Sequence, residues 1–253
     1  MPKFTGSEIV GTQDANIVDS QTASPLVVDS TGNMIVAEIT RLFGGSFDGG
    51  VVDQNKWIVS TSGTGSVISQ SGNGIFSTGT TPDSSVRATS RKKVRFLSSV
   101  PNRYLSAICL IDPPTPNNIR RWGLFTDTAG LFFRLNGTQF QVVALNGGLE
   151  TVISTFNGPN QPTVNSSYSG WEIHYTSTSA RFYSNRRLFH TLATSQSALM
   201  SRTSVPVALQ NSNINGFSGN IRMNAASQGV FRFGKEQGAC EYYHIDSPGV
   251  HYV

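Results

Sequence analysis

Turn-forming residues punctuate this chain roughly every eight to twelve positions, and the segments between them are short, apolar and rich in β-branched and aromatic side chains. That spacing predicts about a dozen short antiparallel strands closed into a sandwich or a barrel. "GLFFRLNGTQFQVVALNGG" is the clearest local case. Leu131, Phe133 and Leu135 alternate onto one face, and Asn136-Gly137 accepts the positive backbone angles of a tight hairpin. "WEIHYT" alternates as cleanly, with Trp171, Ile173 and Tyr175 expected inward and Glu172, His174 and Thr176 outward. In "RYLSAICLI" both faces are apolar, which marks a central strand, and the prolines of "DPPTPNN" (Pro113, Pro114, Pro116) end it because they cannot donate ladder hydrogen bonds.

The rest of the chain is read in the same terms. "KWIVSTSGTGSVISQSGNGIFSTG" sets runs at Trp57 to Val59, Ser66 to Ser69 and Gly74 to Phe76 between Gly-rich turns, the pattern of an antiparallel meander. "ARFYSNRRLFHTL" reads as two paired strands, with Phe182 and Leu188 turned inward and Asn185, Arg186 and Arg187 forming the turn. "HTLATSQSALMSRT" predicts one short helix from the loosely helical spacing of Leu192, Ala198, Leu199 and Met200. The chain has only 13% charged residues, with 25 glycines and 11 prolines, and this composition supports strands and turns over helices. At 253 residues it can bury a core without help from a metal or a disulfide, and Cys109 and Cys240 are read as unpaired thiols.

Three segments are expected: an N-terminal arm at 1–42, one β-sandwich at 43–235 and a C-terminal tail at 236–253. In the arm, "SPLVVDSTGNMIVAEI" predicts a small hairpin around "DSTGN", too small to fold alone. Leu26, Val27, Val28, Ile35 and Val36 of the arm and Tyr242, Tyr243 and Tyr252 of the tail are therefore candidates for contact with neighbouring chains. Charge is uneven. Residues 1–86 hold eight acids against Lys3, Arg41 and Lys56, a balance of −5, which leaves +9 for the remainder of a +4 chain. An acidic arm against a basic body sets the register of a homo-oligomer, with a trimer as one form. The densest basic run, "RATSRKKVR" from Arg87 to Arg95, lacks the stacking rings of a nucleic-acid groove and reads as a solvated strand edge or a contact for an acidic neighbour. No direct nucleic-acid binding and no membrane insertion are expected. The polar start "MPKFTGSEIVGTQDANIVDS" has no signal-peptide pattern, so the chain is expected to stay in the cytosol or to leave it by another route.

The sequence carries no nucleophile elbow, phosphate loop or zinc helix. The order of the segments resembles the concanavalin A-like, laminin G-like jelly-roll sandwich, on the strength of "GLFFRLNGTQFQVVAL", "WEIHYTSTSARFYSNRRLFHTLA", "SVPVALQNSN" and "GVFRFG". The fold class expected is therefore all-β, a jelly-roll sandwich with an extended N-terminal arm and a C-terminal tail. One large family with that jelly roll hydrolyses glycosides from a Glu-x-Asp-x-x-Glu strand. No such spacing occurs here, since Glu150 and Glu172 stand alone on their strands, and the resemblance implies no catalytic pair. Lectins of the fold hold calcium through loop carboxylates, for which Asp48, Asp53 and Asp127 are the candidates. Trp122, Tyr183 and Phe189 are the candidate rings for stacking on a sugar. The whole organisation also resembles virion proteins of tailed bacteriophages. It implies a non-enzymatic particle component, localised to the virion and assembled with other virion proteins, with a glycan-binding adhesin for the host surface as the alternative.

Overall fold

The computed structural model describes residues 27–28, 34–35, 39–95, 101–176, 179–193 and 204–233. Among these residues there are seventeen strands and no helix. In chain order they are β1 (Val27–Val28), β2 (Met34–Ile35), β3 (Ile39–Gly45), β4 (Trp57–Ser62), β5 (Ser66–Gln70) and β6 (Asn73–Ser77). Then come β7 (Ser85–Arg95), β8 (Asn102–Cys109), β9 (Asn118–Phe125), β10 (Ala129–Asn136), β11 (Gln139–Asn146) and β12 (Leu149–Ile153). The last five are β13 (Ser169–Tyr175), β14 (Ser179–Ser184), β15 (Arg187–Ala193), β16 (Ser204–Asn213) and β17 (Arg222–Phe233).

Residues 1–38 form a unit of their own, in which β1 and β2 pair antiparallel with Val27 opposite Ile35 and Val28 opposite Met34. This is the hairpin expected in the arm. Leu26, Val36, Tyr242, Tyr243, Tyr252 and Cys240 lie outside the described residues. In the second unit, β3 pairs with β17 from Ile39 onward, so the boundary read at residue 43 falls inside a strand.

The body is two antiparallel sheets. One has seven strands in the order β12-β11-β10-β9-β16-β7-β4; the other runs β15-β14-β13-β8-β17-β6-β5, with β3 beside β17. Between them the inward-facing positions form one core, in which Trp57, Trp122 and Trp171 are each about fully buried. Trp122 packs edge-on against Trp171 with ring centroids 5.3 Å apart and stacks on Phe133 at 5.7 Å. Offset and edge-to-face contacts of this kind add to the transfer energy of large rings. Buried asparagines then bolt the layers together. Asn118 Nδ2 donates to Asn211 Oδ1 at 2.9 Å, and Asn211 Nδ2 crosses to the carbonyls of Phe76 and Ile221 at 3.0 and 2.8 Å.

Several expectations change against this frame. Trp57–Ser62 and Ser66–Gln70 do not form a meander, because β4 joins β7 in one sheet while β5 pairs with β6 in the other. The basic run divides: Arg87 to Ser90 lies between β16 and β4, while Arg91 to Arg95 pairs with β16 on one side and extends past the end of β4 on the other. His190–Ala193, read as the start of a helix, is strand in β15, and the remainder of that segment lies outside the described residues. The tight turn after Asn136 places Gly137 and Thr138 in the loop, with Asn136 paired to Gln139, and Gly137 alone takes a positive φ (59°) there. Phe189, and not Leu188, is the core residue of β15, because the register shifts between Phe182 and Tyr183. That bulge moves one parity of side chains to the other face.

Candidate functional site

Strand alternation gives each sheet a second face, turned away from the core, and on the seven-stranded sheet that face carries two parallel rows. The first runs Val152, Val143, Phe132, Gly123, Ala208, Thr89, Ile58 across all seven strands. Beside it Gln141, Arg134, Arg121, Gln210, Arg87 and Ser60 are register partners across six. At about 4.8 Å per strand, the polar row is about 24 Å long. Adjacent residues divide between the faces. Trp122 and Arg120 point into the core side, while Arg121 points out.

The apolar row is a floor for the polar one. Phe125, Phe132, Val143, Leu145 and Ala208 form a second buried cluster, separate from the main core. Arg121 lies over the Phe132 ring at 5.9 Å and Arg87 over Phe125 at 5.2 Å, so these stems cover rings and hold guanidinium groups at the surface. Gly123 makes this layering possible: a Cβ there would come within 2.7 Å of the Phe132 Cα and the Leu131 carbonyl. Any larger residue would push the floor away from β9.

Two carboxylates hold the row in place. Arg134 donates to Gln141 Oε1 and to Glu150 Oε2, each at 2.7 Å, and Arg87 donates to Asp127 Oδ1 at 2.5 Å. Arg121 has no ion pair or hydrogen bond among the described residues, and its buried Nε is unpartnered, as is that of Arg87. Burial pushes the Arg121 guanidinium below its usual range, and the positive charges of Arg134 and Arg87 act the same way, with Glu150 and Asp127 opposing. Glycosidic cleavage needs a pair of carboxyl groups, and the two that reach this row are Glu150 and Asp127, from different segments.

The outer face of the eight-stranded sheet carries a second polar group. Glu172 Oε2 accepts from Arg103 Nη2 at 2.7 Å and lies 2.9 Å from His174 Nε2, beside a hollow of about 350 Å³ lined by Leu105, Ser106, Asn185, Arg186 and Ser227. Burial acts to raise the Glu172 carboxyl, but the His174 hydrogen bond and the Arg103 charge outweigh it and hold it below the usual carboxylate range. Tyr183 stacks on His174 at 4.3 Å and is nearly buried.

The sites read from sequence are dispersed. Trp122 and Phe189 are sealed in the core and present no ring to a ligand, and the exposed-side ring of Tyr183 is taken by His174. Asp53 caps its own turn, accepting from the Asn55 amide at 2.9 Å, Asp127 is bound to Arg87, and Asp48 is exposed. Among the described residues no three His, Cys, Asp or Glu side chains gather as a metal site. Cys109 is a free thiol whose Sγ donates to the Ser166 carbonyl, and burial raises it. The arginine row escaped sequence reading, although a signal exists: in "RRWGLF" and "LFFRLN" the residues of opposite parity to Trp122 and Phe133 are Arg121, Phe132 and Arg134.

No protein-family model matches the chain, and no curated protein matches it in sequence. Solved structures do match in fold. A glycosyl hydrolase family 16 protein from Mycobacterium smegmatis superposes with a TM-score of 0.56 over 76% of this chain and 100% of its own, at 15% identity. The catalytic domain of an endo-1,3-β-glucanase (laminarinase) from Thermotoga petrophila gives 0.57 over 78% and 98%, at 13% identity. An immunostimulatory antigen and pseudo β-1,3-glucanase of Mycobacterium tuberculosis gives 0.56 over 78% and 99%, at 14% identity. These likenesses overturn the expectation of a non-enzymatic bacteriophage component, because the proteins that share the sandwich almost throughout their length are mostly named as glycosyl hydrolases or β-glucanases. The host-surface adhesin gains nothing from them either. At such identities the fold is what is shared, and this chain is an all-β, concanavalin A-like jelly roll of the kind seen in family 16 glycosyl hydrolases.

Proposed function

We propose that this protein is carbohydrate-active and takes a polysaccharide chain along the outer face of the seven-stranded sheet. The observation that carries the reading is the polar row itself: Arg121, Gln210 and Arg87 stand in line, half-exposed, on one rigid sheet, continued by Arg134 and Gln141, which are buried and bound to each other. Sugar hydroxyls both donate and accept, and amide and guanidinium groups on adjacent strands offer both functions at fixed spacing. The fold likeness to glucanases agrees with this use of the sandwich.

Affinity electrophoresis through gels containing laminarin, mixed-linkage β-glucan or alginate, with release of reducing ends assayed in parallel, tests the reading. We expect retardation by at least one of these polysaccharides and a loss of about fivefold to tenfold in its affinity for Gln210→Ala, the effect of one hydrogen bond. Unretarded migration in every gel without turnover would sink the assignment.

A further inference from the structure

We infer that the polysaccharide recognised on this face is acidic, bearing carboxylate or sulfate groups that dock on Arg121 and Arg87. The inference rests on the reading that the face binds polysaccharide and adds the chemical class of the ligand. Three guanidinium groups, from Arg87, Arg121 and Arg134, stand on the row against two carboxylates, from Asp127 and Glu150. Arg134 is largely consumed, with Gln141 and Glu150 both bound and its side chain 9% exposed. Arg121 is not consumed. It sits at the middle of the row with no ion pair among the described residues, flanked by Arg134 and Gln210. Arg87 holds Asp127 alone, and that carboxylate is 85% exposed, so an incoming anion can displace it.

A guanidinium presents paired N–H donors in a plane that matches carboxylate and sulfate, and a half-buried one gains more from an anion than an exposed one does. A neutral glucan would leave the Arg121 charge uncompensated. A single-stranded nucleic acid offers the same anionic charge, but it also needs rings on which bases stack, and Phe125 and Phe132 lie buried beneath the arginine stems.

Affinity electrophoresis and calorimetry on the full chain separate the alternatives, with alginate as the carboxylate probe, dextran sulfate as the sulfate probe, laminarin as the neutral probe and poly(dT) as the nucleic acid. We expect alginate, dextran sulfate or both to bind at least tenfold more tightly than laminarin at low salt and to weaken in 0.5 M NaCl; the two acidic arms identify which group is recognised. Arg121→Gln and Arg87→Gln should each weaken that binding by about tenfold, Arg121→Lys less, and Arg181→Gln on the opposite sheet not at all. Arg87 lies on a different strand, two strands away from Arg121, so its variant keeps the test valid should Arg121→Gln unfold, which thermal melts report. Laminarin bound as tightly as the acidic polymers would overturn the acidic ligand while leaving polysaccharide binding in place. Acidic binding that survives both arginine variants, or a preference for poly(dT), would overturn the inference as well. Absence of binding to all four probes would defeat it together with the proposed function.

Discussion

Arg120 and Arg121 are neighbours in sequence with opposite fates. Arg120 is fully buried at the edge of the core, where Nη1 and Nη2 donate to the carbonyls of Asp112 and Pro113 at 2.6 and 2.7 Å, and burial pushes its guanidinium down to about 10, against the pull of Asp112. Arg121 faces out over Phe132, and its Nε has no partner. Period-two alternation alone produces this division, with one arginine on the core side and one on the outer face. Glu172 is the residue with the plainest linkage to pH. Its carboxyl is held below the usual range in the folded state by His174 and Arg103, although burial opposes this, so its ionised form favours the native protein. That contribution is present above the unfolded carboxyl range, near 4.3, and is lost as pH falls through the lower folded value. In urea titrations between pH 6 and 2.5, Glu172→Gln should show a shallower acid-side loss of stability than the parent. An equally steep loss would place the acid sensitivity elsewhere, Asp112 beside Arg222 being the next carboxylate held low.

At the scale of elements, hairpins decide which residues share a face. Between β14 and β15 the loop is Asn185 and Arg186, both with positive φ (49° and 66°), closed by the pair Ser184 and Arg187. Such a turn suits Asn-Gly, and an arginine in the left-handed region carries a steric cost. Arg186→Gly should therefore stabilise the protein by about 1 kcal/mol, read as a raised urea midpoint with an unchanged slope. A lowered midpoint would mean that the Arg186 side chain holds the neighbouring hollow together. The same hairpin shows what was legible from sequence. Its existence and its turn could be read from "YSNRRLF", but its register could not. The shift between Phe182 and Tyr183 sent Phe189 into the core and removed it as a sugar platform.

For the whole molecule, local alternation and turn chemistry were enough to predict an all-β sandwich, and Trp171 sits in its core as the alternation of "WEIHYT" implied. Partnership between distant strands was not accessible. Nothing in "KWIVST" tells that β4 leaves β5 for the other sheet, and nothing in "RATSRKKVR" tells that the first half of this run is flanked by both β16 and β4 while the second half has β16 alone. The candidate site depends on that long-range partnership, because its row is drawn from β11, β10, β9, β16, β7 and β4, which span residues 57 to 213. Composition suggested a particle component, whereas the fold is the jelly roll shared with family 16 glycosyl hydrolases, and polysaccharide binding on the assembled face is the proposal. The claim that this face meets the ligand is tested most directly by NMR of the arginine side-chain Nε–H signals during titration with alginate and laminarin oligosaccharides. The account predicts that the Arg121 and Arg87 signals shift and saturate with one of these ligands while those of Arg103 and Arg181 stay fixed. Shifts confined to Arg103, Arg181 and Arg186 would put the ligand on the opposite sheet and contradict it.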